Sequence, residues 1–363
     1  MLYKIPEMNN SPKKIVLDCE RMKYANTGLY HYCLNLGLAL QHNLDIENES
    51  LYLYVRQKTN AAFNKDFNFI NQHALHKFFM PMKKEYSVWH CTYQSSNYFP
   101  FTKKVPVVLT VHDLNFLYDE HKNEEKKTRY LKQHAAKIAA ADYIVAISEF
   151  VMQDIQRNFD VQHKPCKVIY NGCNTALQLS NITPVTKQID APFIYTIGTV
   201  VDKKNFHVLP GLLKNNNRLL IISGITQSEA YKQKIIDEAI KHKVEDRVIF
   251  TGAISEAEKF WYMQNCECFV FPSLAEGFGL PVIEAMYFGK PVILSKLTSL
   301  PEIGGSAAYY FNNFDTANMQ LVLDESLQHY KIHNPAEKIK ARAAIFDWNI
   351  AAKEYLGVYR SLY

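Results

Sequence analysis

No Cys-x-x-Cys pair occurs in the 363 residues, and the seven cysteines (19, 33, 91, 166, 173, 266 and 268) are odd in number. Neither a disulfide framework nor a zinc knuckle is supported, and a reducing, cytoplasmic home is expected. No stretch approaches the roughly 18 apolar residues that span a bilayer, and the opening MLYKIPEMNNSPKK has no apolar signal core. Membrane contact is therefore expected to be peripheral, at the inner face of the cytoplasmic membrane. The net charge of +5 comes without a dense arginine block, so nucleic acid is not the expected partner. Low-complexity tracts are missing, and 48% hydrophobic against 21% charged residues excludes disorder and fibres.

What is present alternates. KKIVLDCE (13–20) is a short apolar run, followed by the turn and helical spacing of NTGLYHYCLNLGLAL. Further apolar runs follow at 51–56, 86–91, 106–113, 143–148 and 166–172, with a long helical pattern over 124–141. A polar segment after Asn174 reads as a linker. A second series then runs through 193–200, 218–224, 246–252, 266–273 and 290–295, with a plain helix in QSEAYKQKIIDEAIKH. Continuously apolar strands between helices predict parallel sheets covered on both faces. The expected fold class is α/β, two Rossmann-like doubly wound domains facing a central cleft, with ligands at the carboxyl ends of the strands. The expected boundaries are 1–175 for the first domain, 176–190 for the linker and 191–343 for the second domain. An amphipathic terminal helix in 344–363 is expected to return to the first domain.

SLAEGFGLPVIEAMYFG (273–289) places Glu276 and Glu284 eight residues apart around glycines and a proline. Pro281 suits a first helical turn, and Gly289 and Pro291 end the helix about two turns later. The N–H groups of Phe278, Gly279 and Leu280 then face a ligand beside the positive end of the helix dipole, and suit a phosphate. Glu276 and Glu284 can hold two hydroxyl-bearing parts of one phosphate-linked ligand. The same segment also fits a Glu284 that only complements the dipole and a Glu276 on a surface loop. In YTIGTVVDKKNFHVL (195–209), a glycine turn precedes Lys203 and Lys204 at a helix start, where cations lack the usual electrostatic reason and can instead neutralise a diphosphate.

The segment from TGAISEAEKFWYMQNCECFVFPSLAEGFGLPVIEAMYFGKPVILS to LTSLPEIGGSAAYYF resembles the donor-binding half of glycosyltransferase family 4, retaining enzymes of the GT-B fold. NTGLYHY, VHDLNFLY, AISEFVMQDI, VIYNG and FDWNIAAKEYLGVYRSLY fall in the same family order, so the resemblance covers nearly the whole chain. It implies that Glu276 hydrogen-bonds the donor sugar and Glu284 the nucleotide ribose, with backbone at Gly277, Phe278, Gly279 and Leu280 holding sugar and phosphate. It implies that Lys204 contacts the diphosphate beside Gly198 and Thr199, and that His112 contacts the transferred sugar. Many members carry arginine directly after the IG glycine, where this chain has Thr199. Members reading GTxxPRKN share the threonine and have arginine in place of Lys203; they resemble mannosyltransferases of surface-polysaccharide assembly. GDP-mannose is accordingly the leading donor and a UDP-sugar the alternative.

In the first half, Gly28 is a turn glycine at the cleft edge, or a purely structural one. His112 and Asp113 end a strand on its carboxyl side; alone they fit a locally satisfied histidine and a turn aspartate, and they do not make a metal site. Ser148 and Glu149 read as a helix cap or as acceptor-facing groups. The lysine pairs at 13–14, 83–84, 103–104 and 126–127 are solvated surface or a face for anionic lipid, worth about 1 kcal/mol per residue. The chemistry that joins these sites is transfer of a sugar from a nucleotide diphosphate to a saccharide or lipid-linked acceptor. Lysines and amides, with no metal or further cofactor, would stabilise the leaving phosphate. A nucleotide-sugar 2-epimerase and a noncatalytic nucleotide-sugar-binding subunit are the competing readings; a dehydrogenase is disfavoured because no GxGxxG follows either first strand.

Overall fold

A computed structural model describes residues 11–24, 27–63, 67–102, 105–173 and 189–363. Two sheets, parallel throughout, carry the chain. The first uses β1 (Lys13–Asp18), β2 (Glu49–Val55), β3 (Asn68–Asn71), β4 (Tyr86–Cys91), β5 (Val107–Val111), β6 (Tyr143–Ala146) and β7 (Cys166–Val168), with α1 (Gly28–Asn43), α2 (Glu124–Ala140) and α3 (Glu149–Asn158). Its strand order is β3-β2-β1-β4-β5-β6-β7.

The second sheet has order β10-β9-β8-β11-β12-β13. Its strands are β8 (Phe193–Ile197), β9 (Leu219–Ser223), β10 (Val248–Gly252), β11 (Cys268–Phe271), β12 (Val292–Leu294) and β13 (Tyr309–Tyr310). Around them lie α4 (Glu229–Lys241), α5 (Glu256–Asn265), α6 (Leu280–Tyr287), α7 (Leu300–Gly304), α8 (Thr316–His333), α9 (Ala336–Ala344) and α10 (Trp348–Arg360). Both orders turn back at the first strand of the set, which opens a crevice at the strands' carboxyl ends. The expected pair of doubly wound, Rossmann-like sheets is what the chain forms.

The local reasons are ordinary. All five residues of β5 are buried, as a central parallel strand requires. Thr27, Asn123, Ser148, Ser228 and Ser255 cap α1 to α5 in turn with side-chain oxygens. Gly289, at φ 69°, follows the end of α6. Two strands carried no readable signal: β3 and β13 have four and two residues at sheet edges, part-exposed and without an apolar run. The expected linker, 176–190, lies outside the described residues as far as 188. Among the described residues no helix is long and apolar enough to cross a membrane.

α10 leaves the second half and packs on α1, in one apolar cluster with β1, β2 and β4. Its polar contacts there are buried. Tyr359 Oη lies 2.7 Å from His90 Nδ1, His90 Nε2 lies 2.7 Å from Thr110 Oγ1, and Tyr355 Oη joins Thr110 (2.9 Å) to Tyr32 (2.8 Å). Burial drives the His90 pKa down to about 3, so the ring is neutral, with one nitrogen donating and the other accepting. Arg360 closes the far end on buried Glu49 through Nε and Nη2 (2.6 and 2.8 Å). Tyr359→Phe leaves His90 Nδ1 short of this partner inside the core. The expected loss is about 1–3 kcal/mol of unfolding free energy, read from denaturant midpoints; an unchanged midpoint would show that the bond contributes nothing.

Candidate active site

The cleft between the sheets, about 810 Å³, is lined from both halves of the chain. On the second half, β8 runs into Gly198, where a Cβ would meet Lys204 Cε at 3.1 Å. The missing side chain lets Lys204 lie across the turn, with its ammonium 4.7 Å over the Phe271 ring. Lys204 Nζ donates to Glu276 Oε1 at 2.6 Å, both side chains being 13% exposed. Burial alone would raise the Glu276 pKa, but Lys204 and then Lys203 outweigh it and hold the carboxyl below its usual range, ionised. Thr298 Oγ1 accepts from Glu276 N–H (3.0 Å), and Ser299 Oγ donates to the carbonyls of Glu276 and Phe278 (3.0 and 3.2 Å). The loop is thereby set so that the first turn of α6 opens on the cleft. Gly279 adopts φ 100° there, and the Phe278 ring turns away onto Tyr170 and Phe346, leaving its backbone to face the site. Thr199 and Leu280 line the same wall, and exposed Lys203 stands at its rim.

Glu284 is buried in α6 and paired with Lys259 of α5 at 2.9 Å. Lys259, itself buried, also reaches Glu256 at 2.8 Å, and His31 of α1 lies 3.8 Å from Glu256 across the cleft. Burial works against the Lys259 charge, yet Glu284 and Glu256 more than offset it and its pKa is raised. Sequence reading missed Lys259, which sits in a helix with no spacing that links it to Glu284.

The opposite wall is built on β5. His112 is buried, and its Nε2 lies 2.7 Å from the Thr92 carbonyl, an acceptor, so Nε2 carries the proton. Burial brings the His112 pKa down to about 4. The ring is uncharged at neutral pH, so its means of contact in the cleft is a hydrogen bond from a neutral imidazole. Tyr32 packs edge-on against it at 4.6 Å. Asp113 lines the cleft while its Oδ1 accepts from Asn115 N–H (3.0 Å), a turn contact. Gly28 begins α1 at the cleft with nothing within 4 Å of where a Cβ would be, so no packing demands glycine there. Two further lining residues went unread. The Arg21 guanidinium lies 4.5 and 4.7 Å from the Tyr93 and Tyr24 rings, and its Nε is buried without a hydrogen-bond partner among the described residues. Asn171 Oδ1 is likewise buried and unpartnered.

Neither Ser148 nor Glu149 lines the cleft between the sheets. Ser148 is fully buried, accepts from Val151 N–H as the α3 cap, and donates to the Gly277 carbonyl at 2.7 Å. The Glu149 and Phe150 N–H groups donate to Glu302 of α7 at 2.7 and 3.0 Å. These contacts join the two halves: a carboxylate from one caps the positive end of a helix in the other. Gly277 lies in the same seam, where a Cβ would fall 1.9 Å from the His112 carbonyl oxygen. Among the described residues no group of three or more His, Cys, Asp or Glu side chains is placed to hold a metal ion.

Residues 48–177 match the Glycosyltransferase Family 4 model and residues 181–331 the Glycosyl transferases group 1 model, so the chain belongs to the glycosyltransferases built from these two parts. It is 23% identical to O-antigen chain mannosyltransferase B of Escherichia coli over 383 residues, 96% of this chain and 100% of that one. It is 27% identical to O-antigen chain mannosyltransferase RfbU of Salmonella typhimurium over 220 residues, 58% of each. HepE of Anabaena, solved in complex with UDP-glucose, has the same fold, with a TM-score of 0.75 at 16% identity over 96% of this chain and 100% of that one.

Two outcomes follow from this geometry. Gly277→Ala should force the halves apart and lower turnover about 100-fold, with a larger radius of gyration in solution scattering; normal turnover in an unchanged envelope contradicts the seam. Lys259→Met should cost about 3–5 kcal/mol of stability by stranding buried carboxylate charge. Lys259→Met/Glu284→Leu should recover most of that in chemical denaturation without restoring donor binding; a destabilisation that persists in the double variant argues against the pair.

Proposed function

We propose that this glycosyltransferase transfers mannose from GDP-mannose to a saccharide or lipid-linked acceptor in surface-polysaccharide assembly, with retention at the anomeric carbon. The observation that carries the reading is the Lys204–Glu276 pair, set beside the open first turn of α6 and across the cleft from His112. A carboxylate that stays ionised in a buried site is ready to accept hydrogen bonds from sugar hydroxyls, and the neighbouring ammonium to donate to phosphate oxygens. The mannosyl preference is supported by the likeness to two bacterial relatives named as O-antigen chain mannosyltransferases.

The roles divide by wall. The Phe278, Gly279 and Leu280 amides and Lys204, with Lys203 at the rim, neutralise the charge that grows on the departing diphosphate. Glu284, held by Lys259, takes the ribose hydroxyls. Glu276 and the unprotonated Nδ1 of His112 accept from hydroxyls of the transferred sugar and fix its anomeric carbon between donor phosphate and acceptor. The acceptor oxygen attacks from the face that the phosphate leaves, and its proton passes to a leaving phosphate oxygen. Neither glutamate serves as a covalent nucleophile, and activity should survive a chelator.

A UDP-sugar donor is the second reading, favoured by the HepE complex. Binding and slow hydrolysis of a panel of nucleotide sugars, with wild type beside Glu276→Ala, separates the two. The expected result is GDP-mannose hydrolysis by wild type, reduced by two to three orders of magnitude in the variant, on the order of one lost transition-state contact. A UDP-sugar as the better substrate removes the mannosyl donor. Equal turnover by Glu276→Ala removes the site, and binding without any transfer or hydrolysis leaves a noncatalytic subunit.

A further inference from the structure

On the face of the first sheet that lies away from α1 and α10, α2 packs against β5 and α3 against β6, and the connections on either side of β4 carry no α-helix among the described residues. The connections from β3 to β4 and from β4 to β5 cross this face as irregular chain, contributing Met82, Tyr98 and Phe99 to the core beneath together with Tyr54 and Trp89. The first crossing is firmly built. Phe78 and Phe79 N–H groups both donate to the Leu75 carbonyl at 3.0 Å. His73 and His76 cap the turn, and Tyr54 Oη meets His76 Nδ1 at 3.2 Å. Lys77 Nζ, 5.9 Å over the Tyr98 ring, ties this crossing to the second.

What the crossings turn outward is apolar. Phe78 and Phe79 are 79% and 78% exposed, Leu75 60% and Phe101 55%. A backbone this well tied, holding two adjacent phenylalanines in water, is not explained by the core, which Met80 and Met82 of the same segment already meet. The charge of the two crossings is in basic excess. Residues 72–102 hold Lys77, Lys83 and Lys84 against a single acid, Glu85, which Lys14 and Lys83 engage at 2.9 and 3.6 Å. Of the lysine pairs noted in the sequence, 83–84 lies in this segment, with Lys83 sharing Glu85 with Lys14, while Lys127 pairs with Glu124 elsewhere.

We propose that this face docks on an anionic membrane surface. Leu75, Phe78, Phe79 and Phe101 enter the boundary between headgroups and acyl chains, and the lysines on either side lie against anionic headgroups. The face stands next to the acceptor side of the cleft: Gln94 and Ser95, in the second crossing, line a cavity of about 970 Å³ that opens beside Asp113 and Lys203. A lipid-borne acceptor would arrive there from the surface that holds the protein. That last step rests on the transferase reading; the docking does not.

The test is sedimentation of the full chain with vesicles of phosphatidylcholine alone and of phosphatidylcholine mixed with phosphatidylglycerol. Wild type should bind the mixed vesicles, less so at high salt. Phe78→Ser/Phe79→Ser should bind at least about tenfold more weakly, and Lys77→Gln/Lys84→Gln should lose the preference for the anionic lipid. These side chains are solvent-facing, so both variants should fold. Equal binding by the phenylalanine variant overturns the proposal, as does failure of wild type to bind the mixed vesicles. Self-association that the phenylalanine substitutions abolish, without vesicle binding, also overturns it and makes the face a contact between copies. Donor hydrolysis on the same samples keeps the two readings apart. Hydrolysis without vesicle binding sinks the docking face alone, and vesicle binding without hydrolysis supports docking while sinking the transferase.

Discussion

The cleft depends on the meeting of two backbones. At Gly277 the donor-side loop comes so near the His112 carbonyl that no side chain fits between them, and Ser148 spans the same gap with a hydrogen bond. Glu302 adds a carboxylate to the open end of α3. Together these contacts set the distance between the wall that carries Glu276 and the wall that carries His112, so a ligand held by both is oriented before reaction. None of the three contacts touches a reacting atom in the proposed chemistry, yet each decides where such atoms can be.

Within that frame the buried charges come in matched sets. Lys204 with Glu276, and Lys259 with Glu284 and Glu256, each gather opposite charges in places where a lone ion would be costly. The pairing keeps Glu276 ionised and in place. In the proposed reaction, binding would exchange partners, a phosphate for a carboxylate at Lys204 and a hydroxyl for an ammonium at Glu276, with little net loss of pairing. His112 follows the opposite rule: burial outweighs the neighbouring Asp113 and leaves the ring uncharged.

The far side of the first sheet shows how the second half supports the first. α10 returns to α1, and its Tyr355 reaches Tyr32, whose ring packs on His112. α10 thus buttresses the cleft-lining His112 through one aromatic residue. On the opposite face α2 and α3 cover β5 and β6, while the connections flanking β4, which carry no α-helix among the described residues, turn phenylalanines and lysines outward.

The periodicity of apolar runs was enough to read two parallel α/β sheets, because central strands must be apolar on both faces whatever their partners. The α6 segment was equally legible, since Pro281 and Gly289 punctuate a helix through their own backbone limits. Short edge strands such as β3 and β13 were not, because half-exposed residues carry no such constraint. Local reading also placed Ser148 at a helix cap or in an acceptor site without deciding between them; its carbonyl partner lies 129 residues away. Lys259 is tied to Glu284 by a contact between two helices, Arg21 to Tyr93 by a contact between remote segments, and His112 is made neutral by burial. Distance along the chain does not encode these relations: they arise only when packing removes water and brings remote groups within hydrogen-bond reach. The sequence by itself determined which segments become strands and helices and which residues could carry the chemistry; tertiary structure decided which of them meet, and in what state of charge.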